Sequence, residues 1–420
     1  MSTDNRDGQG RGSGRGGRDR GRGRERSPQG RDRGRGRWRG RQRPGGGERP
    51  ATRPRVEAGP RKFLFIHPFG IGDVIFSLAA AEALVRSGHR VDYLCNERTE
   101  ELLRLCPTVS RTHRFDRSAL RAELSGGRWI RAARRYGALR SAIASERYDA
   151  VLDFSMGREY AFLAFMAGVG RRIGWDFKGR GFWLTERVPV AGFDRRSPRD
   201  AAMELVRLAD PEALRAYGPR PVPEYPYLNL PADPQTGRWL TRLTASAPWF
   251  VIAPGGGESW GKDAHFKRWP VEHWAEFARL LKRDTRAVVI VLGSESEAAL
   301  VESVAELAGP GVIAVVGESF GHVAALLAGA QAFAGTDGGL LHLANLSRIP
   351  TLGLYGPVSE IGYGPLESAA PTRVLTANVP CRPCYIGFRF TGCAHEKRCL
   401  TSISPERAAE ELRQLLISES

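Results

Sequence analysis

The stretch that decides the fold is Lys62-Phe63-Leu64-Phe65-Ile66-His67-Pro68-Phe69-Gly70-Ile71-Gly72-Asp73-Val74. Its first seven residues form an apolar run of strand length, and a glycine-rich turn at residues 70–73 follows directly. From residue 74 to residue 86 the apolar side chains recur at helical spacing. A strand, a tight turn and a helix in this order predict the start of a parallel α/β sheet.

The same alternation continues on both sides of a proline-rich segment. Further strands are predicted at residues 91–95, 150–154, 249–253, 288–292, 312–316, 332–335 and 351–355. Because the prolines between Pro211 and Pro234 interrupt any periodicity, residues 211–245 are predicted to be a linker. We therefore expect two Rossmann-like, doubly wound α/β domains, at residues 61–210 and 246–420, that face each other across a ligand-binding cleft.

The positive charge of the 420-residue chain is concentrated at one end. The formal net charge is +17, and residues 1–60 hold 18 arginines, no lysine and 7 acidic residues, which is +11. This Arg- and Gly-rich segment has too little apolar surface to fold, so we predict a disordered arm. The arm can be interpreted as a weak, salt-sensitive binder of RNA or other polyanions, or as a solvated tail without a partner.

Composition argues against several other classes of protein. No run approaches the ~18 uninterrupted apolar residues of a membrane-spanning helix. The N-terminus has no apolar run that could form the core of a signal peptide. Six cysteines in 420 residues are too few for a disulfide scaffold. We therefore expect a cytoplasmic protein.

Asp73 is the first candidate for chemistry. A dinucleotide-binding fingerprint that begins at Gly70 would need its third glycine at Ile75, so this motif is excluded. An aspartate at the start of a helix can be a structural N-cap. It can also be a carboxylate at the cleft that serves as a general base. The residues alone leave both interpretations open.

Two glycine-rich loops in the second half of the chain are candidates for anion binding. The loop Ala253-Pro254-Gly255-Gly256-Gly257 precedes Lys262 and Lys267, two of only six lysines in the chain. Backbone N–H groups and ammonium groups of this kind suit an anionic ligand, and a surface loop with solvated lysines is the alternative.

The second glycine-rich loop, Asp337-Gly338-Gly339, follows a strand and opens a helix in which His342 lies one turn further on. Its glycines permit close approach of a phosphate to the free N–H groups of the helix start. A lone helical histidine is more often structural, but this one would face the phosphate site. Glu297 lies just beyond another strand end, where a carboxylate can accept hydrogen bonds from ribose hydroxyls.

Together these segments resemble glycosyltransferase family 9, the ADP-heptose:lipopolysaccharide heptosyltransferases. The resemblance covers residues 62–420 and rests on Gly72-Asp73-Val74, Lys267-Arg268-Trp269-Pro270, Asp337-Gly338-Gly339 with His342, Leu354-Tyr355-Gly356-Pro357 and Ile403-Ser404-Pro405-Glu406. It implies a GT-B fold and an inverting, metal-independent glycosyltransferase. The donor would be an ADP-heptose, and the acceptor would be a lipopolysaccharide core saccharide at the inner membrane face.

The resemblance also implies roles for individual residues. Asp73 would deprotonate the acceptor hydroxyl, and Lys267 would neutralise the departing diphosphate. Gly338, Gly339 and His342 would hold the donor phosphates, and Glu297 would bind the donor ribose. Asp337 would order the loop or contact the donor sugar. Because the stretch between the first glycine loop and Lys267 is longer than the family pattern, Lys262 competes with Lys267 for the phosphate role.

Four of the six cysteines are clustered near the C-terminus, at Cys381, Cys384, Cys393 and Cys399. This spacing suits a tetrathiolate site for structural Zn²⁺ or iron. Related autotransporter heptosyltransferases hold iron in a cysteine finger. The alternative is a set of reduced thiols packed in an irregular loop within residues 381–399.

Two other functions are consistent with the sequence. The same donor could serve a heptosyltransferase that modifies a protein acceptor. A protein of a different class could use the α/β body as a nucleotide- or RNA-binding scaffold without turnover. The joint presence of Asp73, Lys267 and the loop at residues 337–342 favours an enzyme.

Overall fold

The computed structural model describes residues 59–217, 228–230, 233–257, 260–366 and 371–417. Two six-stranded sheets organise this part of the chain, and each strand runs parallel to its neighbours. The predicted arm lies outside the described residues except for Gly59 and Pro60. No helix among the described residues is long and apolar enough to cross a bilayer.

The first half of the described chain contains β1 (Lys62–His67), α1 (Ile71–Arg86), β2 (Arg90–Cys95), α2 (Glu97–Leu105), β3 (Arg111–Arg114), α3 (Arg117–Ser125), α4 (Trp129–Glu146), β4 (Ala150–Asp153), α5 (Arg158–Met166), β5 (Arg171–Asp176), β6 (Glu186–Pro189) and α6 (Pro198–Ala209). Its strand order is β3-β2-β1-β4-β5-β6. The chain reverses its direction of travel across the sheet between β1 and β4, which is where ligands bind in doubly wound folds.

The expected linker is more regular at its ends than its prolines suggested. It begins with a 3-10 helix, Pro211–Tyr217, and it ends with α7 (Pro234–Thr244). Pro234 is the first helical residue, a position where the missing N–H costs nothing, and Asp233 caps the helix by accepting from the amides of Gln235 and Thr236. The prediction of an aperiodic segment is therefore wrong there, because proline can start a helix as well as end one.

The second half contains β7 (Trp249–Ala253), α8 (Val271–Asp284), β8 (Val288–Gly293), α9 (Ala298–Ala308), β9 (Val312–Val316), α10 (Phe320–Ala328), β10 (Ala332–Thr336), α11 (Gly339–Leu346), β11 (Thr351–Leu354), α12 (Glu360–Tyr363), β12 (Thr372–Leu375), β13 (Tyr385–Ile386), β14 (Arg389–Phe390), α13 (Arg398–Thr401) and α14 (Pro405–Ile417). The strand order β12-β11-β10-β7-β8-β9 repeats that of the first sheet, with its reversal between β7 and β10. The pair β13–β14 forms a separate antiparallel hairpin.

Both sheets are buried on their two faces, which explains why their central strands are continuous apolar runs. In β1 every residue after Lys62 is buried, and helices from the same half cover the sheet. In the second half, Trp269 is buried and donates its indole N–H to the carbonyl of Ile403, 3.0 Å away. This bond fixes the segment after Lys267 against the C-terminal part of the domain.

Candidate active site

The two sheets bring the starts of α1 and α11 together. A Cβ atom added to Gly72 would lie 2.9 Å from Cδ2 of His342, and one added to Gly339 would lie 3.3 Å from Cβ of Ile71. Only glycine allows backbones to approach this closely. The ring of Phe76 contacts the ring of His342, with centroids 4.7 Å apart. The carboxyl edges of the two sheets therefore meet at these helix starts.

Asp73 occupies the first turn of α1, and Gly70 is the N-cap residue. Of the two interpretations of Asp73, the N-cap is therefore wrong, because the helix begins two residues earlier, at Ile71. Burial, aided by the negative charge of Asp337, raises the pKa of Asp73 to about 6, while Lys267 and the backbone of Gly70 oppose the shift. A carboxyl group with this pKa is mostly ionised at pH 7 and is still able to take up a proton.

Lys267 and Asp337 form a buried ion pair at the start of α11. The ammonium lies 2.7 Å from Oδ2 of Asp337, and it also donates to the carbonyl of Gly256 at 3.2 Å. The lysine side chain is 5% exposed. Lys262 lies at the other end of the same 3-10 helix, Gly261–Lys267, and is exposed. Of the two competing lysines, only Lys267 pairs with Asp337.

Glu297 holds the first glycine-rich loop in place. Its Oε1 accepts from the amide of Gly257 at 3.1 Å, and its Oε2 accepts from the amide of Ser294 at 3.0 Å and from the Ser294 hydroxyl at 2.9 Å. A Cβ atom on Gly255 would overlap this carboxylate. Glu297 is therefore buried and holds the loop through hydrogen bonds. A ribose that contacts Glu297 would have to share the same carboxylate oxygens.

The start of α11 combines free helix N–H groups with buried polar atoms that have no partner among the described residues. These atoms are Nδ1 of His342 and Oγ1 of Thr336. Burial lowers the pKa of His342 to about 4, so the imidazole is neutral at pH 7. Such a site, next to the amides of Gly338 and Gly339, suits an oxygen-rich anion.

Several residues near this site had no recognisable signal in the sequence. Thr336 lies in a strand end, and Trp260, Tyr363 and Tyr385 belong to short or irregular segments far apart along the chain. The charges of Asp73 and Asp337 raise the pKa of both tyrosines, in each case behind the larger effect of burial. These tyrosines therefore lie within electrostatic reach of both carboxylates.

The cysteine cluster lies beside this region. Cys381, Cys384, Cys393 and Cys399 line one small cavity of about 10 Å³ and are free thiols. Burial raises the pKa of the Cys399 thiol to about 11, and it raises the pKa of Cys384 as well. Within the described part of the chain, no group of three or more His, Cys, Asp or Glu is arranged to hold a metal ion. The prediction of structural Zn²⁺ or iron is therefore unsupported.

Two parallel sheets whose carboxyl edges meet beside Asp73 and the Lys267–Asp337 pair are typical of glycosyltransferases with two Rossmann-like halves. The chain belongs to glycosyltransferase family 9 (heptosyltransferase), whose family model matches residues 136–386. The predicted family, the GT-B fold and the enzyme class are therefore confirmed.

Known proteins similar to the chain carry the same description. The chain is 26% identical over 384 residues to lipopolysaccharide heptosyltransferase 1 of Pseudomonas aeruginosa, and the match covers 85% of this chain and 98% of the relative. The solved structure of E. coli ADP-heptose lps heptosyltransferase II has a TM-score of 0.65, 22% identity, and coverage of 85% and 99%. E. coli heptosyltransferase WaaC with ADP-2-deoxy-2-fluoro heptose has a TM-score of 0.58, 20% identity, and coverage of 86% and 100%.

Proposed function

We propose that this glycosyltransferase moves a heptose from an ADP-activated donor to a lipopolysaccharide core saccharide, with inversion at the anomeric carbon. The observation that carries the proposal is the Lys267–Asp337 ion pair at the start of α11, in electrostatic contact with Asp73 at the start of α1. The relatives named above are lipopolysaccharide heptosyltransferases, and one was solved with an ADP-heptose analogue. Both facts support the donor and acceptor classes.

The reaction is a single displacement in which the two halves serve opposite faces of the sugar. Asp73 takes the proton of the acceptor hydroxyl, and the oxygen attacks the anomeric carbon. The bond from that carbon to the diphosphate oxygen breaks, and ADP leaves with the electron pair. Because attack and departure occur on opposite faces, the configuration at the anomeric carbon is inverted.

The second half stabilises the charge that develops on the leaving group. Lys267 provides a cation, and the amides of Gly338 and Gly339 provide hydrogen bonds at the positive end of α11. The unpartnered Nδ1 of His342 adds a polar contact for a phosphate oxygen. Asp337 keeps the ammonium of Lys267 in position before the donor binds.

The remaining parts of the proposal concern donor, acceptor and location. Glu297 orders the glycine-rich loop and shares its carboxylate with the donor ribose. The first half, which carries Asp73, receives the acceptor, and a lipid-linked acceptor places the enzyme in the cytoplasm at the inner membrane face.

We also propose that residues 1–60 bind polyanions weakly. Equal RNA affinity of the protein with and without these residues would contradict this role.

Mass spectrometry of reaction products tests the function directly. The protein is incubated with a panel of nucleotide sugars and a truncated core acceptor, and Asp73→Asn serves as the inactive control. We expect a product heavier by one heptose with the ADP donor, with inverted anomeric configuration by NMR. Loss of transfer with retained ADP binding in Asp73→Asn would separate catalysis from nucleotide binding. Absence of product with every ADP-sugar would contradict the proposal, and transfer to a protein would change the acceptor class.

A further inference from the structure

Three aromatic side chains that the mechanism above does not use lie on one side of the Lys267–Asp337 pair. We refer to Trp260, Tyr363 and Tyr385 as the aromatic wall. The ring centroid of Tyr385 lies 5.0 Å from that of Trp260 and 6.1 Å from that of Tyr363. The ammonium of Lys267 lies 5.5 Å from the Trp260 ring centroid. The aromatic wall therefore lies next to Lys267, the cation assigned to the leaving diphosphate.

Tyr385 is a phenol within electrostatic reach of both carboxylates. Burial and the charges of Asp73 and Asp337 raise the pKa of Tyr385, and the nearby Tyr363 side chain opposes the rise. The net effect of burial and of the nearby carboxylates still raises this pKa to about 12, so the phenol is neutral at pH 7. A neutral phenol can donate its hydrogen to an oxygen of a ligand.

The position of Tyr385 is fixed from both halves of the molecule. Its backbone N–H donates to the carbonyl of Pro357 in the second half, 3.0 Å away. Two residues later, the amide of Gly387 donates to Oδ1 of Asp194 in the first half, at 3.3 Å. The ring of Phe388 packs against the ring of Phe193, with centroids 5.0 Å apart. A side chain placed by such contacts is preorganised for a ligand.

We propose that Trp260 and Tyr385 form the subsite for the donor sugar. A sugar ring presents a C–H face that packs on an aromatic ring, and its oxygens accept hydrogen bonds. The Trp260 ring receives the C–H face, and the Tyr385 hydroxyl donates to a sugar oxygen. This inference rests on the proposed nucleotide-sugar donor. It adds the residues that recognise the sugar, whereas the residues discussed above bind the nucleotide and activate the acceptor.

Equilibrium binding of two nucleotides to the full chain tests the subsite without any turnover. Titration calorimetry with ADP and with ADP-heptose, in the absence of acceptor, compares the wild type with Tyr385→Phe. The phenylalanine keeps the ring and removes only the hydroxyl. We expect Tyr385→Phe to weaken ADP-heptose binding about tenfold, the effect of one lost hydrogen bond in a partly buried site, and to leave ADP binding unchanged.

Two further variants calibrate the result. Tyr363→Phe removes a second hydroxyl of the aromatic wall and keeps its ring, and it should weaken ADP-heptose binding less than Tyr385→Phe does. Tyr136→Phe changes a half-buried tyrosine on α4, in the first half, and should change neither affinity. Mass spectrometry after each titration confirms that the donor is intact.

Each outcome decides the inference. A loss confined to ADP-heptose supports it. Equal ADP-heptose affinity in the wild type and Tyr385→Phe overturns the subsite and leaves the proposed donor standing. An equal loss for ADP and ADP-heptose also overturns it, because a structural defect would then explain the change. Failure of the wild type to bind ADP-heptose would overturn the proposed donor and the subsite together.

Discussion

His342 of α11 packs edge-on against Phe76 of α1, and this contact joins the helix that carries Asp73 to the helix that follows the Lys267–Asp337 pair. Phe76 lies one turn beyond Asp73 in α1. The packing between these helices therefore also helps to set the distance between Asp73, the proposed base, and the proposed leaving-group site. In this proposal, catalytic geometry depends on a core contact as well as on polar groups.

Phe76→Leu should lower kcat about tenfold, because a smaller side chain lets α1 shift relative to α11 and misplaces Asp73. The loss of core packing should also cost about 1–2 kcal/mol of unfolding free energy. The control is Phe277→Leu, which changes an equally buried ring in the core of the second half. Steady-state kinetics and urea unfolding of both variants test this. A matched loss of kcat in Phe277→Leu would show that general destabilisation is responsible.

The pH profile of kcat/KM should have an acidic limb near pH 6. The catalytic form of Asp73 is the carboxylate, and its pKa is raised to about 6, chiefly by burial. Activity should therefore rise with pH through 6 and level off above it. The pKa of His342 is about 4, so titration of this residue would produce an acidic limb two pH units lower. A limb near pH 4 would exclude Asp73 as the titrating base.

Asp73→Asn should stabilise the fold at pH 7.5 while it abolishes transfer. The folded protein holds the pKa of Asp73 above the ordinary value of 3.8, so its contribution to stability is greatest below pH 4 and is lost as pH rises through about 6. The neutral amide avoids this loss, and we expect a gain of about 1–2 kcal/mol. Urea unfolding at pH 7.5 and pH 4 measures the difference. A gain of the same size at pH 4 would not be due to ionisation.

Lys267→Ala should reduce kcat by about 10²–10³-fold, since the departing diphosphate loses its cation. Lys262→Ala, in which an exposed lysine on the same 3-10 helix is changed, should leave turnover intact. Removal of one partner of a buried ion pair also destabilises a fold, so circular dichroism must accompany the kinetics. Normal turnover in a folded Lys267→Ala variant would transfer the phosphate role to another residue.

Glu297→Gln should raise KM for the donor about tenfold with kcat nearly unchanged, because the amide cannot accept from both Ser294 and Gly257 and the loop loses its brace. Kinetics with a donor that contains 2′-deoxyribose distinguish the structural role of Glu297 in the loop from a role in ribose binding. If Glu297 also contacts the ribose, the variant and the deoxy donor will give less than additive losses. Fully additive losses would restrict Glu297 to its structural role.

The alternation of apolar runs and turns was sufficient to predict most of the architecture. The strands at 249–253 and 312–316 have the predicted bounds, because turn-forming residues flank short β-branched runs. The sequence pattern predicts that α1 begins at residue 74, three residues after its observed start, because Gly70 and Gly72 are typical of a turn. Only the contact with α11 explains why a glycine at 72 belongs inside the helix.

The candidate site was predicted in part. Asp73 and Asp337 lie next to glycines shortly after strand ends, and Lys267 begins a Lys-Arg-Trp-Pro motif, so their chemistry is visible in linear motifs. Trp260 and Tyr385 are separated by more than a hundred residues, and only tertiary structure brings their rings together. Spacing along the chain does not determine side-chain geometry. It therefore does not show that the thiols are unpaired, or that the described residues lack a metal-binding arrangement.

The hairpin that carries Tyr385 is bonded to Pro357 on one side and to Asp194 on the other. Any motion that parts the two sheets must break the bond to Asp194 or pull the tyrosine away from the cation at Lys267. As proposed, the hairpin binds the donor sugar only while the two sheets are close together. Donor binding alone, before any acceptor arrives, should therefore favour the arrangement in which Asp73 lies near the Lys267–Asp337 pair.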